Sequence, residues 1–255
     1  MYGAAGGVGS VVAKTFAREG ARLFLAGRTQ SSVQALADEI VRAGGKAEAA
    51  TVDALDENAV NAYLDGVSKK AGRIDISFCS ISIPQPGVQG VPLLLLPTDD
   101  FMRPIETYSK SYFITARAAA QRMVQQKSGV ILAHVPEVSR LGAPLVGGMA
   151  PSWAAMEAMN RNFSGELAQY AVRAVTIRST GLPETKTIDT VFGLHAKTIG
   201  IPQQQFQGFI ESLTHTKRST TVQEVADAAA FAASDRATSM TAATVNLTGG
   251  LLVDW

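Results

Sequence analysis

Apolar residues along this chain follow two alternating patterns, one spaced 3 or 4 apart and one nearly continuous over short runs. Val8, Val11, Val12, Thr15 and Phe16 have helical spacing up to a stop at Glu19-Gly20. Residues 21–28 (ARLFLAGR) form a short apolar run and predict a strand. A helix follows over 31–45, with Ser32 as its predicted N-cap, Val33, Leu36, Ile40 and Val41 as its stripe and a glycine stop. Residues 46–53 predict a strand, 58–72 a helix and 73–82 another strand. Strands alternating with helices of this length predict a parallel sheet covered by helices on both faces.

The rhythm continues to the end. Thr98 or Asp99 is the predicted cap of a long helix through Gln126, on which Ile105, Tyr108, Tyr112, Thr115 and Ala119 share a face. Residues 129–135 and 172–179 predict strands on either side of a helix striped by Met156, Met159, Phe163 and Leu167. A capping box, Thr221 with Glu224, opens the last helix, and residues 242–250 close the sheet. Between Pro183 and Ser219 only one helix is predicted, after Pro202, with Phe206, Phe209, Ile210 and Leu213 on one side. No repeat or linker interrupts this order, so residues 1–255 are read as a single domain.

Charge and composition then remove whole classes of function. The formal net charge is +1, with 23 basic and 22 acidic residues interspersed, so no basic stripe points to nucleic acid. Cys79 is the lone cysteine, which excludes an internal disulfide framework and points to a reducing, cytoplasmic setting. The longest apolar run is far too short to span a bilayer. His195 and His215 stand 20 apart without carboxylate spacing, and no metal site is expected.

Chemistry enters with the first ten residues, MYGAAGGVGS. Gly3, Gly7 and Gly9 form a G-x-x-x-G-x-G loop whose backbone N–H groups, at a helix N-terminus, suit a phosphate. This loop, the segment TVDALD around Asp53, the helix segment FMRPIETYSK and the closing segment from VQEVADAAAFAASD to VNLTGG together resemble the short-chain dehydrogenase/reductase family over residues 2 to about 253. The resemblance implies a Rossmann-like doubly wound sheet, a nicotinamide dinucleotide and hydride transfer between alcohols and carbonyls. Where such proteins place an acidic residue on the ribose of NAD, this chain has Gly27 followed by Arg28, which favours NADP over NAD; the plainer reading of Arg28 is an exposed turn residue. Asp53 falls where the family contacts the adenine, or is simply a turn aspartate. Gly181 and Thr185 match the family's nicotinamide segment, with Thr180 in place of a proline.

The family's proton machinery is an Asn-Ser-Tyr-Lys tetrad, in which a lysine brings a phenol toward neutrality. Laid on this sequence, the tetrad positions fall on Tyr108, Pro136, Met149 and Trp153. No Tyr-x-x-x-Lys occurs anywhere in the chain. Tyr108 could be a displaced proton donor, or could pack beside Tyr112 along its helix; His134 and Ser139 lie near Pro136 as further substitutes. Trp153 and Met149 are expected to fill the former catalytic pocket. Two functions remain open: an oxidoreductase-like nucleotide binder impaired in ordinary hydride transfer, and a catalytically silent scaffold. The resemblance further implies a homodimer or homotetramer through the fourth and fifth helices, with Trp255 as a candidate interface residue.

The family's first strand, central in its sheet, is expected to be missing here. Met1 and Tyr2 are too short to supply it, so either residues further upstream or another segment should pair in its place. Otherwise two neighbouring strands keep buried, unpaired backbone groups at about 1–3 kcal/mol each.

Overall fold

The computed structural model describes residues 1–253; Trp255, and the interface expectation attached to it, lies outside the described residues. In chain order the elements are α1 (Gly7–Arg18), β1 (Arg22–Gly27), α2 (Gln30–Arg42), β2 (Lys46–Thr51), α3 (Glu57–Ala71), β3 (Ile76–Cys79), α4 (Thr98–Pro104) and α5 (Lys110–Gln126). Then come β4 (Gly129–Pro136), α6 (Met149–Leu167), β5 (Val172–Ser179), α7 (Lys186–Ile199), α8 (Gln203–Leu213), α9 (Val222–Ala233) and β6 (Thr244–Leu247). Every strand pair is parallel, in the spatial order β2-β1 and β3-β4-β5-β6. The expected doubly wound sheet is therefore present.

Strand alternation sends successive side chains to opposite faces. Ile131, Ala133 and Val135 of β4 join a core with Val60 and Leu64 of α3, Tyr112 of α5 and Met156 of α6. Val130 and Leu132 face a second core with Val12 and Phe16 of α1, Leu36 of α2 and Val225 of α9. Both faces of the central strands are buried, which is why their sequences read as apolar runs rather than alternations.

Four local expectations need correction. The N-cap of α2 is Thr29, in extended conformation and without a side-chain cap bond, so Ser32 lies inside the helix. Pro97 precedes α4, and neither Thr98 nor Asp99 caps it. The helical path from 98 to 126 is not uniform: Pro104 lacks an N–H, and Ile105–Ser109 widen into a π-turn between α4 and α5. The stretch between Pro183 and Ser219 carries two helices rather than one, with α7 started by the Thr185 side chain accepting from the Ile188 N–H at 3.3 Å.

Among the described residues no strand precedes α1, as expected, and a single rung stands in its place. Met1 and Tyr2 do supply ladder bonds, on both sides at once. The Tyr2 N–H donates to Phe78 O and the Ser80 N–H to Tyr2 O, each at 3.0 Å. On the other side the Ala26 N–H donates to Met1 O at 2.8 Å and the Ala4 N–H to Ala26 O at 3.2 Å. Tyr2 thus bridges β1 and β3 as a single parallel rung. Toward the strands' N-terminal ends, no other described segment lies between β1 and β3, and a cavity of about 340 Å³ occupies that place.

Candidate functional site

The C-terminal ends of the parallel strands open onto a cleft, where the loops after β1, β2, β3, β4 and β5 converge. The glycine loop forms its floor. Gly3 has φ +65°, and a Cβ there would lie 2.3 Å from Ser80 O, so only glycine closes this turn. A Cβ on Gly9 would meet Gly3 O at 2.5 Å, so Gly9 packs the loop against α1 rather than lining the cleft. Gly6 caps α1 in extended conformation, and no acidic side chain occupies the first turn. A helix N-terminus with that composition favours an anion.

Two adjoining cavities share Gly6, Ser80, Ile81 and Ser82. The first, about 280 Å³, brings together Gly3, Arg28 and Asp53. Arg28 is exposed, and the Asp53 carboxylate accepts the Leu55 N–H at 3.0 Å while also lining the cavity. The turn reading and the binding reading of Asp53 therefore coexist in one geometry. The second cavity, about 160 Å³, holds Gly7, Gly181 and Thr185 beside Tyr108, Pro136 and Trp153. The Thr185 hydroxyl donates to Leu182 O at 2.8 Å, and a Cβ on Gly7 would touch the Thr185 methyl at 3.0 Å.

The tetrad positions separate in space. Pro136 ends β4, and Met149, wholly buried, begins α6 beneath the cleft and does not line it. Trp153 stands one turn further along α6 and forms part of the wall, its ring 5.9 Å from that of Tyr108. The expectation that Met149 and Trp153 fill the pocket is thus met by Trp153 alone, and the pocket stays open. Tyr108 sits in the π-turn with its phenol pushed up by burial; the Ile83 backbone and the Ser82 and Gln85 side chains pull the other way. No lysine lines the cavity with it. Tyr112 lines the same cavity, but its hydroxyl donates to Asn160.

His134 also faces this cavity. Its Nε2 lies 2.9 Å from Ser179 Oγ, and burial lowers the imidazole to about 4, so the ring is neutral near pH 7. The Cys79 thiol is pushed up by burial and stays protonated. His195 Nε2 lies 3.2 Å from Gln89 Oε1, and no group of metal-ligating side chains occurs among the described residues.

Past Trp153 a third cavity of about 220 Å³ is lined almost wholly by apolar side chains from α7, α8 and the segment 138–146. The sequence reading missed the acid on its wall. Glu137, directly after Pro136, is buried, its Oε2 has no hydrogen-bond partner, and burial raises its carboxyl to about 7. Also missed was a buried ion pair one layer away. Arg178 reaches Glu157 with both Nε and Nη2 at 2.9 Å, and the Ser139 hydroxyl donates to the same carboxylate at 2.6 Å. An arginine inside the apolar run VRAVTIRS was a usable signal, since a charge there requires a partner.

Residues 3–252 match the family model described as enoyl-(acyl carrier protein) reductase. With that match the chain belongs to the short-chain dehydrogenase/reductase family. It is similar to an uncharacterized oxidoreductase of Bacillus subtilis, YxbG, at 28% identity over 99% of this chain and 89% of that protein. The 3-oxoacyl-[acyl-carrier-protein] reductase FabG of Escherichia coli is 26% identical over 98% and 95%. Among solved structures, sorbitol-6-phosphate 2-dehydrogenase SrlD from Erwinia amylovora superposes with a TM-score of 0.93 at 22% identity, covering 99% and 98% of the two chains. An NAD+-bound xylitol dehydrogenase gives 0.91 at 22% identity over 98% and 96%.

Proposed function

We propose that this chain binds a nicotinamide dinucleotide, NADP in preference to NAD, and transfers hydride to ordinary carbonyls slowly or not at all. The observation that carries the binding half is the meeting of the glycine loop, Arg28 and Asp53 around one cavity at the N-terminus of α1. Gly3 fits the role because its turn leaves no room for a Cβ. Arg28 would meet a 2′-phosphate, Asp53 the adenine side, and Gly181 and Thr185 the nicotinamide end. When bound, the nucleotide supplies or accepts the hydride. The relatives' names support this reading, since they are oxidoreductases, and one solved neighbour carries NAD+ and another NADPH.

The second half rests on proton handling. Met149 and Pro136 offer no donor, and the Trp153 indole cannot act as an acid near neutrality. Tyr108 is the remaining phenol at a tetrad position, and its environment holds the proton on Oη rather than releasing it. A silent nucleotide-binding scaffold is the second reading, favoured by the same observation. Assembly as a homodimer or homotetramer through α5 and α6 accords with Phe113, 42% exposed and stacked on Phe163 at 6.3 Å. The lone buried cysteine accords with a cytoplasmic setting. A small molecule remains the expected ligand of the cleft. No helix among the described residues is long and apolar enough to cross a membrane.

Fluorescence titration with NADPH and NADH tests binding, and a carbonyl panel then tests turnover. Tight NADPH binding without turnover is expected. Loss of Arg28 in R28A should cost NADPH roughly 10-fold or more in affinity, as charged hydrogen bonds contribute about 1.5–3 kcal/mol, and leave NADH unchanged. Equal loss for both nucleotides would remove the case for the 2′-phosphate. Robust turnover would refute the second half, and Y108F would then show whether that hydroxyl is the donor.

A further inference from the structure

Past Trp153 the cleft runs on into the apolar cavity of about 220 Å³, whose cover is incomplete. Val191 and Phe192 of α7 line it, as do Leu141 and Val146 of the segment after β4. Helix α8 turns Phe206, Phe209, Ile210 and Leu213 toward the same space, yet no residue of α8 is buried. Phe209 is 56% and Leu213 45% exposed. An amphipathic helix with its apolar face left so open gains from any apolar body that fills the space against it.

One acid stands on this wall without a partner. Glu137 is 9% exposed, and its Oε2 has no hydrogen-bond partner. Its own N–H and that of Gly181 favour the charged carboxylate, against the burial that raises it to about 7. Gln89 and His195 also line the cavity, but Gln89 Oε1 and His195 Nε2 lie 3.2 Å apart and satisfy each other. Among the described residues no lysine or arginine lines the cavity. A buried acceptor left in this way calls for a donor from outside the chain.

We propose that this cavity binds an elongated apolar molecule bearing one protonated amine, with its tail against α7 and α8 and its N–H groups on Glu137 Oε2. The proposal deepens the small-molecule reading of the cleft and rests on it, since Pro136 and Gly181 line both this cavity and the one that holds Gly7 and Thr185. A neutral hydroxyl could complete the hydrogen bond, but a cation also offsets the carboxylate charge that burial opposes, and is held more tightly. A carboxylate or phosphate would meet an acid and no cation, and is rejected. A polyol is rejected as well, because its hydroxyls would face apolar walls.

Isothermal titration calorimetry compares octylamine, octanol and octanoate, which share a tail length and differ in head group, with butylamine as a short-tail control. At pH 8 octylamine is expected to bind about 10-fold or more tighter than octanol, with octanoate weaker still. Butylamine should bind about 10-fold or more weaker than octylamine, because half the apolar contact is gone. E137Q keeps the side chain's shape and removes its charge, and should bring octylamine down to the level of octanol. Between pH 8 and pH 6 the wild-type protein should lose roughly 10-fold in octylamine affinity as Glu137 takes up a proton, and E137Q should not. The groups around Glu137 do not mimic that loss: burial lowers His195 on α7, and Glu157 of α6 is held by Arg178 of β5 and the Ser139 hydroxyl. Octanol or octanoate binding as tightly as octylamine, equal binding of butylamine, or full octylamine affinity in E137Q overturns the proposal. NADPH titration of the same preparation separates the two readings. NADPH binding without octylamine binding overturns the amine site alone, whereas octylamine binding without NADPH binding supports the amine site and overturns the nucleotide reading.

Discussion

Gly3 and Glu137 show how single residues set the limits of the site. At Gly3 the positive φ and the approach of Ser80 O leave no room for a side chain. Gly3→Ala should therefore destabilise the fold by about 1–3 kcal/mol and abolish nucleotide binding, measured by thermal unfolding and NADPH fluorescence. Glu137 makes a pH-dependent prediction. Its carboxyl is raised from 4.5 to about 7, so the folded state holds the proton more tightly than the unfolded state. The stability it contributes is full below about pH 4.5, declines from there to about 7, and is flat above. E137Q removes that decline. Relative to wild type the variant should gain on the order of 3 kcal/mol between pH 4.5 and 8, by denaturant unfolding at each pH. His134, lowered to about 4, slopes the other way below 6.5 and is common to both proteins, so the difference isolates Glu137. A flat difference would show that the acid does not sense its burial.

Among the elements, α6 carries two of the positions on which the resemblance lays the tetrad, and one buried charge. Met149 begins it, Trp153 stands one turn on, and one turn further Glu157 binds Arg178 of β5. That pair joins helix to sheet directly behind the cleft. Glu157→Ala takes the bidentate carboxylate from a guanidinium that is 2% exposed, and should cost about 3–5 kcal/mol in unfolding free energy. An exposed pair such as Arg73 with Asp75 should cost under about 1 kcal/mol when broken the same way. The capping box at α9 gives an intermediate case. Thr221→Ala should cost about 1 kcal/mol and leave nucleotide affinity unchanged, because Thr221 lines none of the cleft cavities. The π-turn before α5 belongs to the same scale: it places Tyr108 against Trp153, a contact that uniform helical spacing does not specify.

For the whole molecule, the sheet couples the nucleotide cradle to overall stability. The loop after Tyr2 begins at the rung that joins β1 to β3 among the described residues, so a ligand on Gly3 and Gly6 ties together two parts of the sheet that also share the cores under α1 and α3. Saturating NADPH at about 100 times its Kd should stabilise the fold by about 2.7 kcal/mol, and differential scanning calorimetry should show a rise of several degrees. No shift at that concentration would count against nucleotide binding itself. A shift equal for NADH and NADPH would count only against the preference.

The sequence alone determined the alternation of strands and helices, the parallel sheet and the glycine loop. These follow from local spacing and from which atoms a side chain carries, and neither depends on distant parts of the chain. The capping box of α9 was legible for the same reason, since all its partners lie within four residues. Helix α7 was not, because its stripe of Val191, Phe192, His195 and Ala196 includes a histidine and is completed only by contacts with α8 and Gln89. Packing alone decided that Met149 lies under the cleft while Trp153 forms its wall, that Glu137 is stranded in an apolar pocket, and that two residues suffice for a rung between β1 and β3. Each depends on groups tens to hundreds of residues apart in sequence. Burial and hydrogen-bond satisfaction are properties of that assembled neighbourhood, and no local pattern encodes them.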